Sequence, residues 1–473
     1  MKLEITIKNF KSIESAQLNL RKGLNILIGP NGSGKTCILS ALKFIKDVIH
    51  LGAAQALARG GGSKRIYKRG KHSIEMNIIC EYRERIFRRK KYSCLLKWNF
   101  IISQRGPDKI ASIMNEVIQI EANISGRNQI LFRFEVDREN IKRIESSFTK
   151  LDSDEIGRDL FSTWDKDHSN QNKSSLYEKL HSRLNEIKRE LKKTYDRSVL
   201  SYFARFDVSI ENLLQKFQFL NEYNILPEVA RASSEQLQFA QMGPDGSSVS
   251  EVIYALEKRH FGRIAEVPFY GIDDMFHRMY HIPFYLPTFY SYRMHRARHR
   301  RYPLERALEN INKEISAAVK PISSVGVQID PNNGRRFVIF KTEKQTFFPE
   351  EVSDGTIKWL CILVSIFVPY SQVYLLEEPE NFLHPWMQQR LVNIMREQAK
   401  KEDIIFILTS HSSTILNSSN PEEVLVVTQV TGGTKIREVE DKEEIEKVLR
   451  ASDFRLGDLW VSGAIGGVPA GEQ

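Results

Sequence analysis

The sequence predicts an α/β fold, in which a mixed sheet flanked by helices is interrupted by a large, mainly helical insertion. Near the start, an apolar strand pattern runs into a glycine-rich loop and then into apolar residues at helical spacing. Towards the end, residues 373–376 and 404–408 are short apolar runs of the kind found in buried parallel strands. Between these regions, from about residue 110 to 320, polar stretches carry apolar residues at helical spacing.

These patterns divide the 473-residue chain into three parts. Residues 1–110 are predicted to form the N-terminal half of the α/β core, residues 111–320 the helical insertion lobe, and residues 321–473 the C-terminal half. The insertion has no heptad pattern sustained over several repeats, which favours a compact lobe over a coiled-coil arm.

The composition is that of an ordinary globular protein, with 41% hydrophobic residues, 27% charged residues and a net charge of +10. The longest apolar run, residues 360–368, is far shorter than the ~20 residues that a membrane-spanning helix needs, so we expect no membrane partner. The chain starts in a strand pattern rather than a secretion signal. Its four cysteines lack paired metal-ligand spacing, so we expect a cytoplasmic protein without zinc or disulfides.

The first strand-loop-helix unit carries the clearest chemical pattern. Strands are predicted at residues 3–7 and 24–28, and the second runs into residues 29–36, Gly-Pro-Asn-Gly-Ser-Gly-Lys-Thr, which we call the phosphate loop. Its glycines let backbone N–H groups point at phosphate oxygens, and the helix start favours an anion. Lys35 is predicted to neutralise the β- and γ-phosphates, and the Thr36 hydroxyl to ligate Mg²⁺. The other predicted nucleotide-binding residues of this loop are Asn31, Gly32, Ser33 and Gly34.

Two acidic residues follow the apolar strand at residues 373–376. Strands of this kind present ligand-binding groups at the carboxyl edge of a parallel sheet. Glu377 is predicted to hold Mg²⁺, and Glu378 to act as the general base for the water that attacks the γ-phosphate. Aspartate is the usual residue at the first of these positions, so Glu377 carries the carboxylate on a longer side chain.

Residues 352–356, Val-Ser-Asp-Gly-Thr, precede an apolar helical pattern, and we call them the signature segment. Ser353 is suited to cap that helix, and its hydroxyl, the free N–H groups and the Gly355 backbone together form an anion site. Residues 408–412, Leu-Thr-Ser-His-Ser, end the last apolar strand and contain His411. Taken alone, these features are typical of a helix cap and of a structural histidine.

The order of these motifs resembles that of the ABC-class ATPases, specifically the soluble group that includes RecF, SMC proteins and the OLD and AbiEii-like ATPases. The resemblance implies an ABC-type ATPase head that uses ATP and Mg²⁺. It implies that Ser353 and Gly355 bind the γ-phosphate of ATP held by the other subunit, and that His411 senses that phosphate. Residues 7–12, Ile-Lys-Asn-Phe-Lys-Ser, are similar to the first-strand motif of RecF and SMC heads, which implies that Lys11 lies near the nucleotide.

Residues 379–385, Pro-Glu-Asn-Phe-Leu-His-Pro, are similar to a stretch of the OLD and AbiEii-like ATPases that follows the second acid. The resemblance implies that this stretch lies at a dimer contact. Because the chain has one phosphate loop and one signature segment, a homodimer or higher homo-oligomer with ATP at the interface is expected. The resemblance also implies a glutamine in the nucleotide site, and Gln104 and Gln119 are the two candidates for it.

Two basic clusters suggest a surface for nucleic acid, one over residues 64–91 and one over residues 293–301. Such runs bind phosphates independently of sequence, but they are also common on solvated faces and on protein-docking surfaces.

Two biological roles fit this resemblance. The first is the ATP-dependent sensor or scaffold subunit of an antiphage defence or toxin system, similar to the Septu and PARIS ATPase subunits. A separate nuclease or toxin effector is then expected, because no segment after His411 resembles a TOPRIM or HNH nuclease core. The alternative is a RecF-like, ATP-gated DNA-binding protein of DNA repair. DNA-stimulated ATPase activity without a partner favours the alternative, whereas co-purification with an effector favours the first role.

Overall fold

A computed structural model describes the following residues of the chain: 2–87, 90–105, 110–124, 127–137, 140–146, 198, 220–237, 240–260, 304–368, 372–401, 404–430 and 433–467. The strands formed by these residues are β1 (Lys2–Phe10), β2 (Ile13–Arg21), β3 (Gly23–Ile28), β4 (Ser73–Phe87), β5 (Lys90–Arg105), β6 (Ile110–Ile124), β7 (Arg127–Asp137), β8 (Asn140–Ser146), β9 (Asn221–Tyr223), β10 (Ser324–Ile329), β11 (Arg336–Lys341), β12 (Thr346–Phe347), β13 (Val373–Glu377), β14 (Ile405–Thr409), β15 (Val424–Val430) and β16 (Gly433–Glu438).

The α-helices of the same residues alternate with these strands. They are α1 (Lys35–Leu51), α2 (Ala53–Arg59), α3 (Ser63–Ile66), α4 (Pro227–Arg231), α5 (Val249–Glu257), α6 (Ala307–Ala318), α7 (Asp354–Phe367), α8 (Pro385–Lys401), α9 (Ser413–Asn417), α10 (Lys442–Ala451) and α11 (Leu456–Val461).

The chain forms two compact units. The first unit comprises Met1–Leu220, Glu422–Ile445 and Gly463–Gln473, and the second comprises Asn221–Pro421 and Glu446–Ser462. Both units combine sheets and helices, so the chain has the mixed α/β fold that the sequence predicts.

The first unit contains a seven-stranded antiparallel sheet in the order β2-β1-β4-β5-β6-β7-β8. Ile5 in β1 lies opposite Leu18 in β2 and Ile78 in β4, and all three side chains are fully buried. In the same unit β3 pairs in parallel with β15, which pairs in antiparallel with β16. Helix α1 buries one apolar face, as its spacing of apolar residues requires.

Strands β6, β7 and β8 cover residues 110–146, where the sequence pattern predicts the start of the helical insertion. The sheet therefore continues past the predicted boundary at residue 110. The physical reason is a period of two: β6 buries Ile118 and Ile120, while Gln119 and Glu121 alternate with them and are only partly buried. Most residues of the predicted helical lobe, including 199–219 and 261–303, lie outside the described residues.

The second unit is built around β13, which pairs in parallel with β14 on one side and with β9 on the other. Strands β10, β11 and β12 form a separate antiparallel sheet. Helix α7 is buried over nearly its whole length, from Thr356 to Phe367. This packing fixes the start of α7 and the ends of β13 and β14 within one unit.

Across the described segments of the chain, no helix has the length and apolar character that crossing a membrane requires. Of the predicted basic clusters, residues 293–301 lie outside the described residues, and the described side chains of the first cluster end at Glu81 and resume at Ser93.

Candidate functional site

The phosphate loop connects β3 to α1 in a conformation that only glycine allows at two positions. Gly29 has φ +155°, and a Cβ there would lie 2.1 Å from the Val427 carbonyl oxygen. Gly34 has φ +105° and precedes the first residue of α1, and a Cβ there would lie 2.2 Å from Thr434 Oγ1. The backbone of the loop is therefore packed closely against β15 and β16.

Side chains of the phosphate loop have the properties of an anion site. Lys35 is buried, and its ammonium donates to the carbonyl oxygens of Gly29 at 2.8 Å and Pro30 at 3.1 Å. The hydroxyl of Ser33 is buried and has no hydrogen-bond partner in the described part of the chain. Helix α1 has no acidic residue in its first turn and no side-chain cap, so its N-terminal N–H groups are suited to phosphate oxygens.

The remaining phosphate-loop residues face solvent. Asn31, Gly32 and Thr36 are exposed, and Thr36 is the second residue of α1, in its first turn. Neither aspartate nor glutamate occurs in that turn to repel a phosphate.

Lys11 lies in the turn between β1 and β2, in the same unit as the phosphate loop. Its φ of +49° is in the left-handed region, and its N–H donates to the Ile66 carbonyl oxygen at 2.7 Å. The next residue, Ser12, bonds through Oγ to Thr434 Oγ1 at 3.2 Å. Thr434 also lies against Gly34, so this one threonine links the Lys11 turn to the phosphate loop. Sequence reasoning did not identify Thr434, because it lies about 400 residues further along the chain.

The two predicted acids stand at the end of β13 in the second unit. Glu377 pairs with Thr409 in β14, and both acids are partly exposed. Glu378 has φ +43°, and its N–H donates to the carbonyl oxygen and to Oγ1 of Thr409, both at 3.2 Å. Its Oε1 lies 3.7 Å from Nε2 of His411, and its Oε2 accepts from Asn381 Nδ2 at 3.0 Å. The structure thus brings the predicted base and the predicted switch histidine together.

Two buried charged residues support this pair. Glu380 is 8% exposed and accepts hydrogen bonds from Ser410 Oγ at 2.8 Å and from the His411 N–H at 2.7 Å. Lys358 in α7 is 3% exposed and donates to the Glu378 carbonyl oxygen at 3.2 Å. Burial lowers the pKa of Lys358, and the nearby Glu380 and Glu378 oppose that shift. Neither residue was assigned a role from the sequence, although Glu380 lies within residues 379–385, the stretch that is similar to the OLD and AbiEii-like ATPases.

The signature segment opens α7 in the second unit, with Ser353 as the N-cap. The Ser353 Oγ accepts from the Thr356 N–H at 3.3 Å, and the residue is exposed. Gly355 lies against the loop that follows β13, since a Cβ there would lie 2.5 Å from the Phe382 carbonyl oxygen. The second unit therefore places the start of α7 beside the loop that contains the acids.

Arg231, at the end of α4, forms hydrogen bonds and an ion pair with the signature segment and with the residues just before it. Its guanidinium donates to the carbonyl oxygens of Pro349 at 2.9 Å and Val352 at 2.6 Å, and it forms an ion pair with Asp354. Sequence reasoning missed Arg231, because no local pattern connects it with a segment more than a hundred residues away.

The predicted site residues are distributed between the two units. Lys11 and residues 29–36 belong to the first unit, whereas Ser353, Gly355, Glu377, Glu378 and His411 belong to the second. Two glutamines are candidates for the nucleotide site. Gln119 lies in the antiparallel sheet and forms hydrogen bonds with Glu121 and Arg133, and Gln104 lies in β5.

The residues predicted to hold Mg²⁺ fit an ion that is bound mainly by a nucleotide. Among the described residues, no group of three or more His, Cys, Asp or Glu side chains could hold a metal ion. Thr36 and Glu377 supply a hydroxyl and a carboxylate, the hard oxygen donors that Mg²⁺ takes together with water and phosphate oxygens. The exposed position of Thr36 in the first turn of α1, three residues after the buried Ser33 hydroxyl that has no partner among the described residues, is consistent with that chemistry.

Comparison with known families decides the class of protein. A family model described as "AAA domain, putative AbiEii toxin, Type IV TA system" matches residues 114–417, which is more than half of the chain. The chain belongs to this family. A second family model, described as an AAA domain, matches residues 4–216, which include the phosphate loop. Membership supports ATP binding and ATPase activity for this AAA domain protein.

Individual relatives match over shorter segments than the family models do. The DNA replication and repair protein RecF of Yersinia enterocolitica is 58% identical over 38 residues, 8% of this chain and 10% of the relative. RecF of Erwinia tasmaniensis is 55% identical over 38 residues, with the same shares. The match thus spans about a tenth of the length of these relatives.

Two solved structures are similar over most of their length. A crystal structure of the SmcHead bound to the C-winged helix domain of ScpA has a TM-score of 0.44 and 12% identity, covering 94% of this chain and 98% of that chain. The SMC head domain from Thermotoga maritima has a TM-score of 0.36 and 14% identity, covering 93% of this chain and 100% of that chain.

Proposed function

We propose that this AAA domain protein hydrolyses ATP held between two copies of itself, with the phosphate loop of one copy and the signature segment of the other on either side of the nucleotide. The observation that carries the proposal is the exposure of Ser353 at the start of α7, a 14-residue helix in the same unit as Glu378 and His411. An exposed helix start of this kind is accessible to the γ-phosphate of an ATP that is bound in the phosphate loop of a second copy.

In this proposal the phosphate loop binds the triphosphate through Lys35, Ser33 and the start of α1. Thr36 and Glu377 are the residues that would hold Mg²⁺, which when bound offsets negative charge on the phosphate oxygens. Lys11 adds a further positive charge on the nucleotide side of the first unit.

The chemical step in this proposal is an attack of water on the γ-phosphorus. The bond to the bridging oxygen breaks, and the proton of the water passes to a carboxylate oxygen of Glu378. His411 donates a hydrogen bond to the γ-phosphate, so its position relative to Glu378 matters for the rate. Ser353 and Gly355 of the second copy bind the same phosphate, so hydrolysis loosens the pairing of the two copies.

A mixing experiment tests the shared site. Lys35→Ala disables the phosphate loop, and Ser353→Glu places a negative charge where the γ-phosphate of the ATP held by the other copy would bind. Each variant alone is expected to hydrolyse ATP at less than a hundredth of the wild-type rate. An equal mixture should recover up to about a quarter of that rate, because half of the dimers contain one intact shared site out of two.

Two matched variants control for folding and for charge. Lys43→Ala removes an exposed lysine of α1, and Ser452→Glu adds a charge at an exposed serine outside the predicted site; both should hydrolyse ATP like the wild type. If the mixture of the two disabled variants shows no recovery while the controls are active, a site shared between copies is excluded.

The biological role that we propose is that of an ATP-dependent sensor or scaffold subunit with a separate nuclease or toxin effector. The family description, which names an AbiEii toxin and a Type IV TA system, supports this class of role. Purification of the tagged chain with its genomic neighbours tests the proposal. A stoichiometric effector that is released when ATP is hydrolysed is the expected result, and an ATPase that purifies alone with all neighbours expressed would contradict it.

A second candidate role is ATP-gated DNA binding of the RecF type, which the RecF match and one described basic surface support. Lys64, Arg65, Arg69 and Lys71 are exposed, whereas Lys68 pairs with Glu14 at 2.9 Å. Arg65→Glu with Arg69→Glu should weaken DNA binding and reduce its salt dependence. ATPase activity that rises on addition of DNA, and no longer rises in this double variant, is the expected result for this role.

A further inference from the structure

We propose that Glu380 is a positioning residue that holds His411 at its working distance from Glu378, an inference that rests on the proposed ATP hydrolysis. Glu380 lies in the loop that follows β13, two residues after the predicted base. The sequence resemblance implies a dimer contact for this stretch, whereas the contacts of Glu380 are made within its own unit.

The contacts of Glu380 are directed at the turn that carries the histidine. One carboxylate oxygen, Oε1, accepts from Ser410 Oγ at 2.8 Å and from the His411 backbone N–H at 2.7 Å. Ser410 is fully buried and Glu380 is 8% exposed, so water competes little for these bonds. Hydrogen bonds to a carboxylate are about twice as strong as those between neutral groups. Glu380 therefore fixes the main chain at His411.

A neighbouring side chain completes the arrangement. Gln388 in α8 donates to the carbonyl oxygens of Leu383 at 2.9 Å and Glu380 at 3.4 Å, and its Oε1 accepts from Ser412 Oγ at 2.6 Å. Glu380 and Gln388 together thus hold three consecutive residues, 410–412. The bonds to residues 410–412 join the segment after β13 to the segment after β14, and the other two bonds of Gln388 lie within the segment after β13.

The distance between the two functional side chains explains why backbone positioning matters. His411 Nε2 lies 3.7 Å from Glu378 Oε1, which is longer than a hydrogen bond. A direct bond between these side chains therefore does not set their separation. The separation depends on the backbones of the two loops, which Glu380 links.

The environment of Glu380 is unusual for a purely structural acceptor. Its second oxygen, Oε2, is buried and has no hydrogen-bond partner among the described residues. Burying an unpaired carboxylate oxygen is costly. The buried ammonium of Lys358, whose charge acts on both Glu380 and Glu378, offsets part of that cost. A retained cost of this kind is common at functional sites.

Kinetic variants test the inference. Glu380→Ala should lower kcat for ATP hydrolysis about 10- to 100-fold with KM changed less than about threefold, because nucleotide binding does not depend on His411 alone. Glu380→Gln should recover most of kcat, since its amide oxygen can accept the same two bonds. Glu397→Ala, which removes an exposed carboxylate of α8, is the control and should behave like the wild type.

A double-mutant cycle separates positioning from general structure. In a His411→Ala background, Glu380→Ala should cause no further loss of kcat, because the residue acts through the histidine. Equal losses in both backgrounds would overturn the inference. If Glu380→Ala does not fold, Ser410→Ala removes one of the two donors and enters the same cycle.

A readout that does not require hydrolysis keeps the inference separate from the proposed function. The imidazole signal of carbon-labelled His411, assigned with His411→Ala, should shift in Glu380→Ala and return in Glu380→Gln. An unchanged signal in Glu380→Ala would overturn the inference even if the wild type hydrolyses ATP. A shifted signal in a chain without ATPase activity would support the positioning role and contradict the proposed hydrolysis alone.

Discussion

The imidazole Nε2 of His411 lies 3.7 Å from Oε1 of Glu378, at the ends of the parallel strands β14 and β13. Glu378 adopts φ +43°, a left-handed conformation that costs a non-glycine residue about 1–2 kcal/mol. Two bonds from its N–H to Thr409 hold the residue in this conformation. Because this strain is stored in the backbone of Glu378, substitutions at that residue should change the free energy of unfolding in a predictable order.

Substitutions at Glu378 should reverse the usual order of alanine and glycine. Because glycine tolerates positive φ and alanine does not, Glu378→Gly should be more stable than Glu378→Ala by about 1 kcal/mol. Chemical denaturation of the two variants measures the difference. Both variants should lose ATP hydrolysis by about 10²- to 10⁴-fold, the usual contribution of a general base.

Glu377 provides the matched control, because it is the last residue of β13 and pairs with Thr409. There Glu377→Gly should be less stable than Glu377→Ala, by about 0.5–1 kcal/mol. The same sign at both positions would show that the left-handed conformation of Glu378 does not store strain.

Arg231 should determine how well the signature segment is formed. Arg231→Ala removes bonds to two carbonyl oxygens and an ion pair with Asp354, and should lower the free energy of unfolding by about 2 kcal/mol. Arg231→Lys should recover only part of this loss, because an ammonium cannot replace the fork of donors in a guanidinium. Thermal unfolding and the ATP-dependent pairing of copies provide the two measurements.

Arg259→Ala is a suitable comparison, because it changes an exposed arginine of the same unit. Equal effects of Arg231→Ala and Arg259→Ala on pairing would mean that the Arg231 contacts do not support the signature segment.

Local patterns predict much of this fold, because the relevant information is close in sequence. The phosphate loop, the apolar strand at 373–376 and the start of the helix that Ser353 caps are each encoded by residues that are neighbours in the chain. Their spacing is sufficient to predict the strand, the loop and the helix start. The functions of these residues stay predictions.

Long-range contacts account for what the sequence did not predict. Arg231 contacts Asp354, and Thr434 contacts Gly34 and Ser12, over separations of more than a hundred residues. Strands β6 to β8 were missed for a different reason. In β6 the buried Ile118 and Ile120 alternate with the partly buried Gln119 and Glu121, but the sequence interpretation gave more weight to the helical spacing of apolar residues later in the same region.

The close approach of Gly34 to β16 should make the phosphate loop intolerant of a single methyl group. Gly34→Ala places a Cβ 2.2 Å from Thr434 Oγ1 at a φ of +105°, so it should weaken nucleotide binding at least tenfold and also lower stability. Thr434→Ala removes the clashing hydroxyl and methyl groups. Titration with a fluorescent ATP analogue measures the effect on binding.

The double variant Gly34→Ala with Thr434→Ala should bind nucleotide better than Gly34→Ala alone, but less well than the wild type, because the strain at φ +105° persists. Gly32→Ala is the matched control: it has φ +78° but open space around its Cβ position, so only backbone strain contributes. Identical losses in Gly34→Ala and Gly32→Ala would argue against the Thr434 contact.

Tyr67 should make the protein less stable at alkaline pH. Its hydroxyl is buried without a hydrogen-bond partner among the described residues, and burial raises the pKa of this tyrosine from 10.0 to about 12. Between these values the unfolded chain loses the phenol proton and the folded chain retains it. Because the folded state then binds more protons, the free energy of unfolding falls as pH rises from about 10 to 12.

Tyr67→Phe removes both the unpaired hydroxyl and this titration. At neutral pH the variant should be as stable as the wild type or more stable, by up to about 1 kcal/mol, since no hydrogen bond is lost and a buried polar group is removed. Across pH 10–12 the free energy of unfolding of this variant should fall less steeply than that of the wild type. The other tyrosines titrate in both proteins, so they contribute equally to both slopes and the difference is due to Tyr67. Parallel pH profiles for the two proteins would mean that the Tyr67 hydroxyl reaches water in the folded state.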